Sequence, residues 1–219
     1  VSFAIGFFGG AALHVLLAYS NTLGVTLWWP LIPQRLQRGW VFFLDAFVTG
    51  STLLALAVTV MQFLKTGTIS PWIAATLACV LAAYWRCKAW LLTQARELAG
   101  PQAVSLIPSA LIPWHFWVCS RSDSEITVAL LNVRSATRSR VTRYEVMDEQ
   151  VQAALADLPE WQLMRGLSPA YHVIKIEVEN QGSRLLCRDL RIRNFNSRYG
   201  DLEVNLDADG KRTHVQFHV

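Results

Sequence analysis

Acidic side chains are almost missing from the first hundred positions of this 219-residue chain, where only Asp45 and Glu97 carry negative charge. Six basic groups accompany them, so the formal charge of +4 arises in that half, while residues 101–219 balance 14 basic against 14 acidic groups. A near-neutral second half without an aromatic-basic RNA motif excludes nucleic acid as a partner, although the pI is about 9.0. Cysteine is also scarce. Cys79, Cys87, Cys119 and Cys187 lie far apart with no Cys-x-x-Cys, which excludes a disulfide framework and points to free thiols on a reducing side. There is no P-loop, no Gly-x-Gly-x-x-Gly, no Gly-x-Ser-x-Gly and no His-Glu-x-x-His. No catalytic centre, metal or cofactor is therefore expected.

Long apolar runs take the place of charge. Residues 40–64 hold 25 positions, 18 of them apolar and only Asp45 charged. That is enough for a hydrocarbon layer needing ~20 helical residues. A second run, 71–92, opens at Pro71 and stays uncharged until Arg86, and the six residues between the runs make the two antiparallel neighbours. A third run covers 3–19 and resumes after Ser20, Asn21 and Thr22 up to Leu31, either as one span of 3–29 or as a span plus an interfacial helix ending at Trp28, Trp29 and Pro30. Three spans place Arg35, Arg38, Arg86, Lys88 and Arg96 on one side and Lys65 alone on the other, a positive-inside bias. The fold expected is a membrane bundle of three transmembrane helices over 1–99, followed over 100–219 by a small soluble α+β domain with an antiparallel sheet.

In that second half, Ala103–Ile107 and Trp114–Cys119 read as short strands or as a stretch along the membrane surface. Glu125–Arg134 and 141–146 read as strands, and Asp148 is placed to cap a helix carrying Val151, Leu155 and Leu158, with Pro159 ending or interrupting it. Ile174, Ile176 and Val178 alternate with Lys175, Glu177 and Glu179, the period of a half-buried strand. Three more strands follow through turns at Gln181-Gly182 and Asp209-Gly210.

Asp45 leads the candidate site residues, because a carboxylate inside a span costs roughly 2.5 to 3.5 kcal/mol at a central position. It lies 19 residues from Leu64, and Arg86 and Lys88 lie 15 and 17 from Pro71. At ~1.5 Å per residue the mismatch is only about 6 and 3 Å, so an intramembrane ion pair of Asp45 with Arg86 or Lys88 is expected. Gly6 and Gly10 have the small-xxx-small spacing of packed helices, and His14 reads as a polar packing contact. Arg35, Arg38, Arg134, Arg138, Arg140 and Arg143 are candidates for anionic lipid headgroups. His214 and His218 share a strand face without a third metal ligand.

The expected function is a non-catalytic accessory subunit or assembly factor of a multi-subunit membrane complex, with other subunits and membrane lipids as partners. A start at Val1 without methionine fits either a lost presequence or a disordered N-terminal tail, and together with the reducing-side cysteines it points to an energy-converting organellar membrane, the mitochondrial inner membrane with a respiratory or ATP synthase complex, and the C-terminal domain in the matrix. The alternatives are a membrane enzyme or lipid-handling protein with its site near Asp45, Arg86 and Lys88, and a small channel lined by Thr49, Ser51, Thr52 and Thr59.

Overall fold

The fold is given by a computed structural model that describes all residues except 1, 29, 32–34, 123–124, 146–152, 154, 169–170, 180–181, 191–199 and 219. The chain forms two compact units, one of 1–97 with 108–116 and one of 98–107 with 117–219.

The first unit is helical: α1 (Ser2–Ser20), α2 (Ala46–Thr66) and α3 (Pro71–Ala99). Local chemistry sets their ends. Ser20 Oγ bonds back to Leu17 O at 2.8 Å, and Asn21 Oδ1 accepts the amides of Leu23 and Gly24 at 2.8 and 3.0 Å, which turns the chain out of α1. The helix α2 starts on Asp45 as its N-cap and stops on left-handed Gly67 (φ 68°), whose amide reaches Phe63 O at 2.8 Å. Pro71 then opens α3 at the position that tolerates a missing amide. Gln62 Oε1 accepts the Ser70 amide at 3.3 Å and ties the intervening loop.

Three transmembrane helices are not what this architecture contains. Among the described residues only α2 is both long and apolar enough to cross a membrane. The run expected at 3–29 breaks at Ser20, and the stretch of α1 whose side chains are described, Phe7–Ser20, is a shorter apolar helix. The run at 40–64 loses its first six positions to an irregular segment and the cap, so the helix begins at Ala46. In α3, Arg86 and Lys88 lie inside a helix that runs on to Ala99, and their charge takes it out of the class.

The second unit holds two four-stranded antiparallel sheets where a single sheet was expected. One has the order β1 (Ala103–Pro108), β2 (His115–Arg121), β3 (Glu125–Asn132), β4 (Thr137–Glu145). The β3–β4 turn forms because Asn132 Oδ1 accepts the Arg134 and Ser135 amides, and a bulge follows between Val128 and Leu130. The other is a meander of β5 (Tyr171–Glu179), β6 (Gly182–Asp189), β7 (Leu202–Asp207) and β8 (Arg212–Phe217). Short α4 (Pro159–Leu167) contributes Met164 to its core, alongside Leu155, Leu158, Tyr171, Val173, Leu185, Leu202 and Val204. The chain is helical at Leu155 and Ala156, breaks at Asp157 and Leu158, and Pro159 opens the next helix, so the proline marks the interruption expected there. Asp148 and Val151 lie outside the described residues. The alternation read at 174–178 falls within β5, whose register shifts between Val173 and Lys175.

His172 on β5 has a buried Nε2 with no hydrogen-bond partner among the described residues. Burial, then the charges of Arg165 and Arg121, push its pKa down to about 4. The unfolded chain takes up this proton near pH 6.5 and the folded one resists it. Stability is therefore expected to fall as pH drops from 6.5 through about 4, by up to about 3 kcal/mol. Unfolding midpoints measured against pH should fall between pH 6.5 and about 4.5 in the parent and much less in His172→Phe, whereas below that the carboxylates of lowered pKa, Asp157, Glu177 and Glu203, lower both.

Candidate functional site

The polar residues of the helical unit converge at the foot of the α2–α3 hairpin. Asp45 is 4% exposed, and its Oδ1 accepts the Phe47 and Val48 amides at 3.0 and 3.3 Å. Tyr84 Oη donates to both carboxylate oxygens at 3.0 and 2.9 Å, and its ring stacks on Phe47 with 4.3 Å between centroids. Burial and the adjacent carboxylate push the Tyr84 phenol well above its usual range, so it stays a donor.

One turn further along α3, Lys88 has no exposed surface. Its ammonium donates to Pro113 O at 3.0 Å and lies 5.1 Å from the centre of the Phe116 ring. Burial lowers its pKa to about 8, with the charges of Asp45 and Cys87 acting in the opposite direction. Lys88 and Asp45 thus feel each other without a direct ion pair. The Ala46 amide also bonds Ala110 O, at 2.8 Å. Residues 110–116 thereby pin both feet of the hairpin.

Arg86, the other partner expected for Asp45, is exposed and forms no ion pair among the described residues. The expected carboxylate–cation bridge is replaced by a helix cap and a phenol. Tyr84 was missed, although its position four residues before Lys88 on one helix face signals a shared surface.

The other candidates scatter. Gly10 has open space where a Cβ would stand, so no neighbouring backbone among the described residues packs there, and the surroundings of Gly6 lie outside the described residues. His14 is exposed. Arg138 bonds Leu98 O and Ala99 O at 3.1 and 3.0 Å, capping the end of α3, while Arg134, Arg140 and Arg143 are exposed along the β3–β4 turn and β4. Ser51, Thr52 and Thr59 bond carbonyls of their own helix at 2.8–3.1 Å, which satisfies a hydroxyl in apolar surroundings without a pore. His218 meets Glu203 at 3.3 Å, and no metal-binding group of three ligands occurs among the described residues.

Between α1 and α2 the chain makes a closed loop. Its neck is held by the Arg38 amide to Tyr19 O and the Trp40 amide to Ser20 O, both 2.9 Å, and farther out Val25 and Leu36 exchange bonds of 3.0 and 2.9 Å. The close approach depends on Gly24, at φ 71°, where a Cβ would lie 2.7 Å from Leu36 O. Gly24→Val should open the loop, since the left-handed conformation alone costs about 1–2 kcal/mol and the clash adds to it. Hydrogen exchange should then quicken at the Val25 and Leu36 amides and stay unchanged within α2.

Comparison with family models, curated proteins and solved structures gave no match. The functional reading rests on the chain's own residues.

Proposed function

We propose that this protein is a non-catalytic, membrane-anchored component of a larger membrane protein complex, held by α2 and offering its two-sheet unit to partner subunits. The observation that carries this reading is α2 itself. Its most apolar stretch has none of its residues buried, with Leu53, Leu54, Leu56, Met61, Phe63 and Leu64 between 52% and 77% exposed. Only the stripe Val48, Ser51, Ala55, Thr59 and Gln62 is half-buried, and the apolar surface over the rest of the helix is stable in hydrocarbon or beneath another protein, while in water it invites aggregation. The buried polar groups at the foot support the same reading, because Asp45, Tyr84 and Lys88 are used on caps and carbonyls that fix the hairpin.

Membrane fractionation followed by native electrophoresis in mild detergent tests it. The chain should resist alkaline extraction, dissolve in detergent and migrate with other polypeptides. Recovery from plain buffer as a compact monomer would overturn the anchor, and migration alone from detergent would overturn the complex.

One observation favours a second reading, a membrane enzyme centred on this foot: a buried lysine of lowered pKa beside a carboxylate and a phenol is the kind of environment in which acid–base chemistry is tuned. It predicts an activity lost in Asp45→Asn while the folded protein is retained.

A further inference from the structure

We infer that the loop between α1 and α2 is a second membrane contact, with an apolar tip that enters the bilayer interface and an arginine collar that binds anionic phospholipid headgroups. This rests on the anchoring role given to α2.

Three observations carry it. The first is the tip: Leu27, Trp28 and Leu31 are 45%, 59% and 86% exposed, three large apolar side chains within five positions of the loop. Loops ordinarily expose polar residues, and a tryptophan flanked by leucines suits the headgroup level, where the indole is half in oil and half in water. The second is the collar. Arg35 and Arg38 are both exposed on the returning arm, and no acidic residue occurs between Val1 and Leu44 to neutralise them. Arg35 bonds Leu23 O with one nitrogen at 3.2 Å, and Arg38 lies 5.4 Å from the Tyr19 ring centre. These contacts hold the guanidinium groups while leaving most of their five donors for phosphate oxygens. The third is position. The neck at Ser20 and Val41 is only five residues before Ala46, the first residue of α2, so the loop sits where the anchor would enter the bilayer. An apolar tip behind a basic collar is complementary to a negatively charged lipid surface, apolar below and anionic above.

The test uses the full chain with exposed Cys79 and Cys87 changed to serine and an environment-sensitive fluorophore at Leu31→Cys, or at Leu56→Cys in α2. Both are reconstituted into vesicles of phosphatidylcholine with phosphatidylglycerol, and into phosphatidylcholine alone. The label at 31 should emit as in an apolar medium and be quenched most by lipids carrying a nitroxide near the headgroup. The label at 56 should be quenched most by a nitroxide deep in the chain. Arg35→Glu with Arg38→Glu should lower insertion of the tip roughly thirtyfold or more in the anionic vesicles and leave position 56 unchanged, from about fivefold per lost arginine contact.

Aqueous, unquenched emission at 31 with a quenched label at 56 would overturn the loop contact and leave the anchor standing. Quenching at 31 without quenching at 56 would support the loop contact and overturn the anchor. An unchanged signal in the double variant would overturn the headgroup collar.

Discussion

Asp45→Ala is expected to destabilise the helical unit by about 2.5–4 kcal/mol. Two contributions add. Losing the bonds to the Phe47 and Val48 amides removes the N-cap of α2, which costs about 1 kcal/mol. Losing the carboxylate leaves the half-buried Tyr84 hydroxyl without its acceptor, and hydrogen bonds to charged groups contribute about 1.5–3 kcal/mol. Asparagine caps helices as well as aspartate does and still offers one carbonyl oxygen to Tyr84, so Asp45→Asn should cost about 1 kcal/mol or less. Tyr84→Phe combined with each variant closes a double-mutant cycle whose coupling term isolates the phenol–carboxylate bond. Denaturant unfolding in detergent measures the series. A cost below about 1 kcal/mol for alanine would show that the foot is not held this way. An activity lost in Asp45→Asn at unchanged stability would move the reading from anchor to enzyme.

The same residue shows why the hairpin was partly legible in the sequence. Counting apolar positions located two adjacent helices and a short connection, because composition alone marks a segment that cannot face water on all sides. It misplaced the start of α2, since the five apolar residues before Asp45 (Trp40–Leu44) conceal the cap in the middle of a hydrophobic run. As a charge in a span, Asp45 requires a cation at equal depth. Treating it as a cap residue in front of Ala46 would have satisfied it with local amides. Break signals were present for α1 as well: Ser20, Asn21 and Gly24 are residues that leave a helix, and the apolar residues beyond them belong to a loop. In the second unit, alternation located strands because its period of two follows from the pleat. Pairing is not encoded in that period. Nothing in the alternation distinguishes one sheet of eight strands from two sheets of four, and the division follows from long-range contacts such as Tyr171 Oη to Gly200 O. The placement of Pro113 and Phe116 against Lys88 is equally non-local, 25 residues along the chain from the lysine to the carbonyl it bonds.

Lys88 yields the second large effect, and its sign runs against the usual expectation for removing a buried polar side chain. The ammonium is fully enclosed, with one carbonyl bond and one aromatic face to replace its water. Its pKa falls from 10.5 in the unfolded chain to about 8 in the folded one, chiefly through burial. The unfolded state therefore binds more protons between these values, and stability rises with pH from about 8 to 10.5. At pH 7 the full difference acts against folding, about 3 kcal/mol. Lys88→Met keeps the length of the stem and removes the charge, at the expense of the bond to Pro113 O, worth about 1–3 kcal/mol when the acceptor is left unsatisfied. The variant should thus be neutral to about 2 kcal/mol more stable at pH 7, and it should lose the rise in stability above pH 8. Lys88→Glu places a second carboxylate near Asp45 in the same enclosed site and should prevent the foot from closing. Asp45 is one of the charges that hold the lysine's pKa up, so Asp45→Ala should also be more damaging at pH 6 than at pH 10. Unfolding curves of the parent, Lys88→Met and Asp45→Ala at these pH values distinguish this account from a simple packing role, for which the pH slopes of all three would be parallel.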